Sequence, residues 1–471
     1  MERSDPTTTG IPASTPPGAA RKRIEAMAAL LGEERFRARA AQEFVARTRP
    51  EEAVPDVYPD VRSLVRDGIE FFLARISLER LLDLGAAQMG MAPGCSSRER
   101  LLELAKRFPT LHKLGQIVAR NPHLDPAMKR WLVALESGRY GTPVDGLLSE
   151  LRRHAEDAGT EIWVEPVLLS EASVAAVFGF RWTPPGKAGT RRGVFKVLKP
   201  DVGSHLEEEL GILEELAAYF SARRDRYGLG AFRFVEVFRE VRRTLAAEVD
   251  LRGEQSHLAE AARSFAGEAG VTVPRILPFC GETVTAMEFV KGVPISDRSL
   301  TRRQRTDCAR RLYEAVVVKP LFSRRDPELF HGDPHAGNVL AVTGRDGSTG
   351  IALLDWSLSG RLTRRERVRI MALVRGVVTA DGAAISEALL ALSATVRNAT
   401  PLPRDRLRGQ VEDLIRSEAF KGFGIVKKAF WLLDRLARTG VLFPANLTLL
   451  RKAVFTVEGV VLDLDPDFDM D

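Results

Sequence analysis

Residues 331–355 constrain this chain more than any other stretch. They read HGDPHAGN, then VLAV, a polar turn TGRDGSTG, and then IALLD. Two short apolar runs on either side of a Gly/Asp/Ser/Thr-rich segment predict a β-hairpin. Asn338 then begins one strand and Asp355 ends the other, so a side-chain amide oxygen and a carboxylate meet at the open end of the hairpin. Such a pair suits Mg²⁺, which takes one or two carboxylates plus phosphate oxygens in preference to an all-protein cage. Asp333 lies in the same loop, five residues before Asn338. A carboxylate there can orient or deprotonate an attacking hydroxyl while a metal neutralises phosphate charge.

An Asp, four residues, an Asn, a hairpin and a second Asp is the order of a kinase catalytic loop and its metal ligands. Each residue alone fits a polar loop before an ordinary hairpin. The three in order favour phosphoryl chemistry with ATP and Mg²⁺. His331 and His335 read as loop-ordering residues, since transition-metal sites want three or four N/S ligands and the seven His and three Cys are spread along the chain.

At 471 residues, 45% hydrophobic and 28% charged, the chain can bury two or three cores. No apolar run is long enough to span a bilayer and the N-terminus has no hydrophobic signal region, so a cytoplasmic location is the expectation. Cys95, Cys280 and Cys308 have no metal or redox spacing and read as free thiols. The net charge of +6 permits peripheral contact with an anionic membrane. With 69 basic residues against 63 acidic ones and no nucleic-acid motif, nucleic acid is not an expected partner.

Residues 1–22 are rich in Pro, Thr, Ser and Gly and read as a disordered tail. A helical extension follows over 23–160, with breaks at Pro50, Pro55, Pro59 and at Pro93 with Gly94. Within it lies FPTLHKLGQ, residues 108–116, which leads into an amphipathic helix through Trp131. Lys113 and Gln116 alone read as solvated helical side chains.

From residue 161 the texture becomes strand-like. EIWVEPVLL, SEASVAAVFGF and, after PPGKAGTRRG, VFKVLKP follow the strand order of a kinase nucleotide lobe, here 161–292. Lys196 sits among Val194, Phe195, Val197 and Leu198. A lysine in such a strand is costly to bury unpaired and calls for phosphates and an acidic partner. Lys199, next to Pro200, reads as the exposed strand end. The loop over residues 170–176 has no Gly where kinases use several, so Ala172, Ser173, Val174, Ala175 and Ala176 must approach phosphate in another backbone conformation. AAEVDLRGEQSHLAEAA reads as a helix-compatible run that carries Glu248, Asp250 and Glu254. Glu248 and Glu254 are then about 120° apart around a helix and suit two different lysines. VTAMEFVKG reads as a strand whose end, near Glu288 and Val290, offers backbone groups to adenine. Residues 293–471 complete a mostly helical second lobe. The fold class is α+β, a protein-kinase-like two-lobed fold with an N-terminal helical extension.

Taken together, these residues resemble the UbiB (AarF) family of atypical protein-kinase-like ATPases associated with ubiquinone biosynthesis. The likeness covers roughly residues 100–471: the KxGQ element (Lys113, Gly115, Gln116), the alanine-rich loop, Lys196, the ExD element (Glu248, Asp250), Glu254, the catalytic loop and TVEGVVLDLDPDF. The resemblance implies that Lys196 pairs with Glu254 and Lys113 with Glu248, with the extension over the site where a protein substrate would bind. It also implies a lipid or quinone-precursor partner. Trp356 and Ser357 depart from the usual Phe and Gly after the metal-binding Asp. Glu171 replaces a small residue, an extra negative charge near the phosphates, and Ala176 replaces a Gln. The sequence stops just after LDPDF, where many relatives continue into membrane-spanning helices, which leaves a peripheral membrane contact. Aminoglycoside and choline phosphotransferases share HGDPHAGNVL and LLDW but lack KxGQ and ExD at these positions, which makes small-molecule phosphotransfer the rival reading. A nucleotide-binding scaffold without turnover is the third, and Asp333, Asn338, Asp355 and Lys196 argue against it.

Overall fold

The computed structural model describes residues 25–54, 59–92, 94–119, 144–184, 186, 189–228, 234–344, 346–393, 403–438 and 441–471. The expected tail, and the helix expected beyond Ala119 through Trp131, lie outside the described residues. The chain forms two compact units. One contains the chain up to residue 154 with 166–178 and 196–249, and the other contains 155–165, 179–195 and 250–471.

The first unit is mostly helical: α1 (Glu33–Thr48), α2 (Pro59–Leu73), α3 (Leu78–Gly90), α4 (Ser97–Arg107), α5 (Pro109–Ala119) and α6 (Val144–Glu156). Local chemistry sets these boundaries. Ser96 and Glu99 form a capping box that starts α4, each side chain taking the other's backbone N–H. Pro109 opens α5, where a missing N–H costs nothing. Strands β1 (Ile162–Glu171), β2 (Ala175–Trp182) and β3 (Arg191–Leu198) share their residues between the two units. Helices α7 (Val202–Ala222) and α8 (Phe234–Val249) complete the first unit. Its core joins Leu206, Leu213 and Leu216 of α7 to Phe238, Val241 and Leu245 of α8, with Val174 and Ala175 at its edge.

The expected single helix through Glu248 and Glu254 is two helices. The Asp250 carboxylate accepts the N–H of Gly253 at 2.9 Å and caps α9 (Leu251–Ser264), so the chain leaves helical geometry at residue 250. The angular argument that separated Glu248 from Glu254 therefore does not apply.

In the second unit, β1, β2 and β3 continue the order β1-β2-β3-β5, with β5 at Val284–Glu288; β4 is Val271–Thr272. Phe180 stacks on Phe195 at 4.0 Å across two neighbouring strands. Gly193 is required beside them, because a Cβ there would stand 2.4 Å from the Phe180 ring. After β6 (Val293–Pro294) come α10 (Arg302–Tyr313), α11 (Lys319–Phe322), β7 (Glu328–His331), β8 (Val339–Thr343), β9 (Thr349–Leu353) and β10 (Ser359–Leu362). The expected hairpin is β8 and β9, antiparallel with Val339 opposite Leu353. It forms the centre of a sheet ordered β4-β9-β8-β6, while β7 pairs with β10. Helices α12 (Arg364–Val378), α13 (Gly382–Ser393), α14 (Arg404–Arg416), α15 (Glu418–Lys421), α16 (Ile425–Arg438) and α17 (Ala445–Leu464) follow. Among the described residues no helix is long and apolar enough to cross a membrane.

Candidate active site

In the second unit the loop between β7 and β8 is built by its own histidines. His331 is fully buried; its Nε2–H donates to the Leu354 carbonyl at 2.8 Å and its Nδ1 accepts the Asp333 N–H at 3.2 Å. This pattern fixes a neutral ring with one N–H. Burial pushes the His331 imidazole below the usual histidine range, against the opposing pull of Leu354, Asp355 and Asp333. His335 caps the 3-10 turn Ala336–Asn338, its Nδ1 accepting from Gly337 N at 3.1 Å. Both histidines order the loop, as their sequence context indicated.

Asp333 and Asn338 are joined directly, the Asn338 Nδ2–H donating to the Asp333 carbonyl at 3.1 Å. Asn338 stands immediately before β8, and its carbonyl accepts the Leu354 N–H at 2.8 Å. That bond brings Asn338 beside the residue that precedes Asp355. Asp355 adopts a left-handed backbone (φ 50°), uncommon for a residue with a side chain. Its Oδ1 accepts from the Ser357 N–H at 3.2 Å and the Ser357 hydroxyl at 2.6 Å. The Ser357 departure thus orients the carboxylate. Trp356 is completely buried against His331 (4.8 Å between rings) and Phe265 (6.0 Å), and its carbonyl accepts from the Ser359 hydroxyl at 2.8 Å. Trp356 thus packs this segment against His331 at the start of the loop between β7 and β8.

Elsewhere in this unit, Asp250 is the cap of α9 and Glu254 is buried in its first turn. The Glu288 carboxylate is held by Arg275, with an Nη2 contact of 2.6 Å, and its backbone N–H donates to the Arg275 carbonyl. Val290 lies two residues beyond, half-buried.

The first unit gathers a second cluster. Lys113, on α5, pairs with Glu248 near the end of α8, and Ser173 donates to the same carboxylate at 3.3 Å. Lys113 is only 8% exposed and Glu248 20%, so the solvated-helix reading of Lys113 gives way to a shielded ion pair. The first turn of α5 is anchored separately: the N–H and hydroxyl of Thr110 donate to the buried Glu209 carboxylate at 2.9 and 2.6 Å, and Arg80 bridges Glu209 and Glu208. Gln116's side chain lies outside the described residues.

The alanine-rich segment is a tight strand-to-strand turn, closed by Ala172 N–H to Ala175 O at 2.8 Å. Val174, Ala175 and Ala176 are buried, which leaves Ala172 and Ser173 as the turn's more exposed residues. Lys196 is buried in β3. Lys199 is not the exposed strand end expected of it. Its ammonium lies 3.0 Å from Glu171, with the two side chains 13% and 6% exposed, and its N–H donates to the Val174 carbonyl. Burial pushes the Lys199 amine below the usual lysine range while Glu171 pulls it back. The charge of Glu171 is thus paired with that of Lys199, just beyond the end of β3.

One residue escaped the sequence reading. Lys452, on α17, places its ammonium 3.6 Å from Asp333 Oδ1. Its only sequence signal was a lysine set among Leu449, Leu450, Ala453 and Val454.

The ABC1 atypical kinase-like domain profile matches residues 150–389, half of the chain. The chain belongs to the ABC1 atypical kinase-like family. An uncharacterized protein of Synechocystis sp. is 27% identical over 79% of this chain and 62% of its own length. A probable protein kinase UbiB of Xanthomonas euvesicatoria pv. vesicatoria is 24% identical over 78% of this chain and 67% of its own. The chain thus spans about two thirds of the length of these curated relatives. A solved structure of a Mycobacterium tuberculosis protein with erythromycin aligns at a TM-score of 0.44 and 16% identity, covering 82% of this chain and 94% of that one. The ABC1 match takes in Ala172 to Ala176, Lys196, Glu248, Asp250, Glu254, Glu288, Val290, Asp333, Asn338 and Asp355. Lys113, Gln116 and Lys452 lie outside it. The α+β kinase-like fold with N-terminal helices, expected from the sequence, is the fold of this ABC1 family member.

Proposed function

We propose that this chain is an ATP-dependent phosphotransferase or ATPase of the UbiB type, binding ATP with Mg²⁺ and serving isoprenoid-quinone or related lipid metabolism. The observation that carries the reading is the bonding of the loop to the hairpin: the Asn338 amide donates to the Asp333 carbonyl at 3.1 Å, and Asn338 opens the strand whose partner runs into Asp355. The Leu354 N–H, one residue before Asp355, bonds the Asn338 carbonyl at 2.8 Å, which supports the two as a pair of ligands.

The residues fit the metal. Among the described residues no group of three or more His, Cys, Asp or Glu could hold an ion by itself. Asn338 and Asp355 would therefore complete a shell only with phosphate and water oxygens, the environment that Mg²⁺ favours. When bound, Mg²⁺ neutralises charge on the nucleotide phosphates. Asp333 accepts the proton of the attacking hydroxyl or water. The family resemblance supports Lys196 as the phosphate-binding lysine, Glu254 as an acidic residue of the site, and backbone groups near Glu288 and Val290 as adenine contacts. It also supports Lys113, Gln116, Glu248 and Asp250 as a regulatory set.

The test is a nucleotide-induced thermal shift with and without Mg²⁺, followed by ATP turnover with lipid, a quinone-precursor mimic, candidate proteins and small alcohols. Asp355→Asn is expected to remove most of the Mg²⁺-dependent part of the shift. An unchanged shift refutes the metal assignment, and robust phosphorylation of a small alcohol or aminoglycoside moves the chain to the rival class.

A further inference from the structure

Gly332 and Asp333 are adjacent in the catalytic loop, and both face α17. A Cβ on Gly332 would stand 2.8 Å from the Leu358 carbonyl and 3.0 Å from the Leu449 methyl carbons, so the loop backbone is held close to the Leu358 segment and packs against Leu449 of the helix. One turn further along the same helix face, Lys452 reaches Asp333 Oδ1 at 3.6 Å. The two side chains are 17% and 12% exposed, shielded enough for the attraction to act with little solvent screening. Leu449 thus sets the height of the loop over α17, and Lys452 supplies a cation beside the carboxylate that the loop carries.

We propose that Lys452 is a positioning residue for phosphoryl transfer, holding the Asp333 carboxylate in its reactive orientation from α17. The proposal rests on the reading of Asp333 as the catalytic base. A flexible carboxylate in a loop samples several rotamers, and a base displaced by about 1 Å can lose about a hundredfold in rate. A cation anchored on a packed helix restricts that freedom without occupying the hydrogen-bonding positions of the loop backbone.

The experiment compares the full chain with Lys452→Met, Lys452→Arg and Leu450→Ala, the last a buried residue of the same helix that serves as a packing control. A double-mutant cycle of Lys452→Met with Asp333→Asn is read by thermal midpoint. The expected result is a kcat at least about tenfold lower in Lys452→Met with KM for ATP within about twofold, and recovery to within about threefold in Lys452→Arg. Leu450→Ala should lower the midpoint but leave kcat of the folded protein within about threefold. In the cycle, the double variant should lose less than the two single losses added together. An unchanged kcat in Lys452→Met, or a loss shared by Lys452→Arg and Leu450→Ala, overturns the positioning role. Additive midpoints overturn it as well. If the parent turns over no ATP, the proposed function fails, and the cycle alone still decides whether Lys452 and Asp333 are coupled.

Discussion

Removing Lys113 tests whether α5 of the extension is locked to α8 within the first unit by a specific charge pair. Lys113 is 8% exposed and Glu248 20%, with Ser173 as a further donor to the carboxylate. Breaking a fully buried pair costs about 3–5 kcal/mol, and an exposed pair is worth under about 1 kcal/mol. The intermediate shielding here places Lys113→Ala at about 2 kcal/mol, since Glu248 keeps the Ser173 hydroxyl and some water. Glu248→Ala should cost somewhat more, about 3 kcal/mol, because the better-buried ammonium loses its carboxylate. The double variant should fall short of the summed losses by about 1–2 kcal/mol. Urea denaturation gives the cycle, and hydrogen exchange locates the damage. The first turn of α5 is tied independently through Thr110 to Glu209, so the increase in exchange should be concentrated beyond that turn. Additive losses, or exchange in Lys113→Ala that matches the parent over 108–119, would refute the lock.

Three further outcomes follow from the same geometry. Asp333→Asn should abolish ATP turnover while leaving nucleotide affinity within a few-fold, since a base acts on the transition state more than on the bound ground state; a parallel loss of affinity would count against that role. The buried neutral His331 has a folded pKa below its unfolded value near 6.5, so the unfolded chain binds more protons as pH falls. Its contribution is fully present above about pH 6.5 and is lost as pH falls below that, at up to about 1.4 kcal/mol per pH unit. Urea midpoints at pH 7.5, 6.5 and 5.5 should show this slope in the parent and not in His331→Asn, and equal slopes would be contrary to it. Glu171→Ala should destabilise the first unit by about 2–3 kcal/mol by stranding the shielded Lys199 ammonium, and a cost under about 0.5 kcal/mol would mean that the pair is effectively solvated.

What could be read from the chain, and what could not, follows the range of the interactions. Asn338 and Asp355 were legible because the hairpin between them is local: alternating apolar residues and a polar turn fix β8 against β9, and that register alone brings the two ends together. The histidines of the loop were legible for the same reason, each bonding a backbone group within its own turn or the facing strand end. The break at Asp250 was missed although its signal was present, an Asp before an apolar Leu251 with Glu254 in the first turn, because helix-compatible residues continue on both sides of it. Lys199 was misplaced because neighbouring Pro200 suggests a strand end, while its partner Glu171 is set only by the turn that folds β1 back against β2. Lys452 lies furthest from what periodicity can report. The apolar positions Leu449, Leu450, Ala453, Val454 and Val457 mark the buried side of α17, and Lys452 sits at the margin of that side. A helical pattern can therefore say that this lysine borders a core, but only the packing of Leu449 against Gly332 decides that the core in question lies under the loop between β7 and β8. The charge beside Asp333 is a consequence of tertiary register, and a one-residue shift of α17 would turn it away.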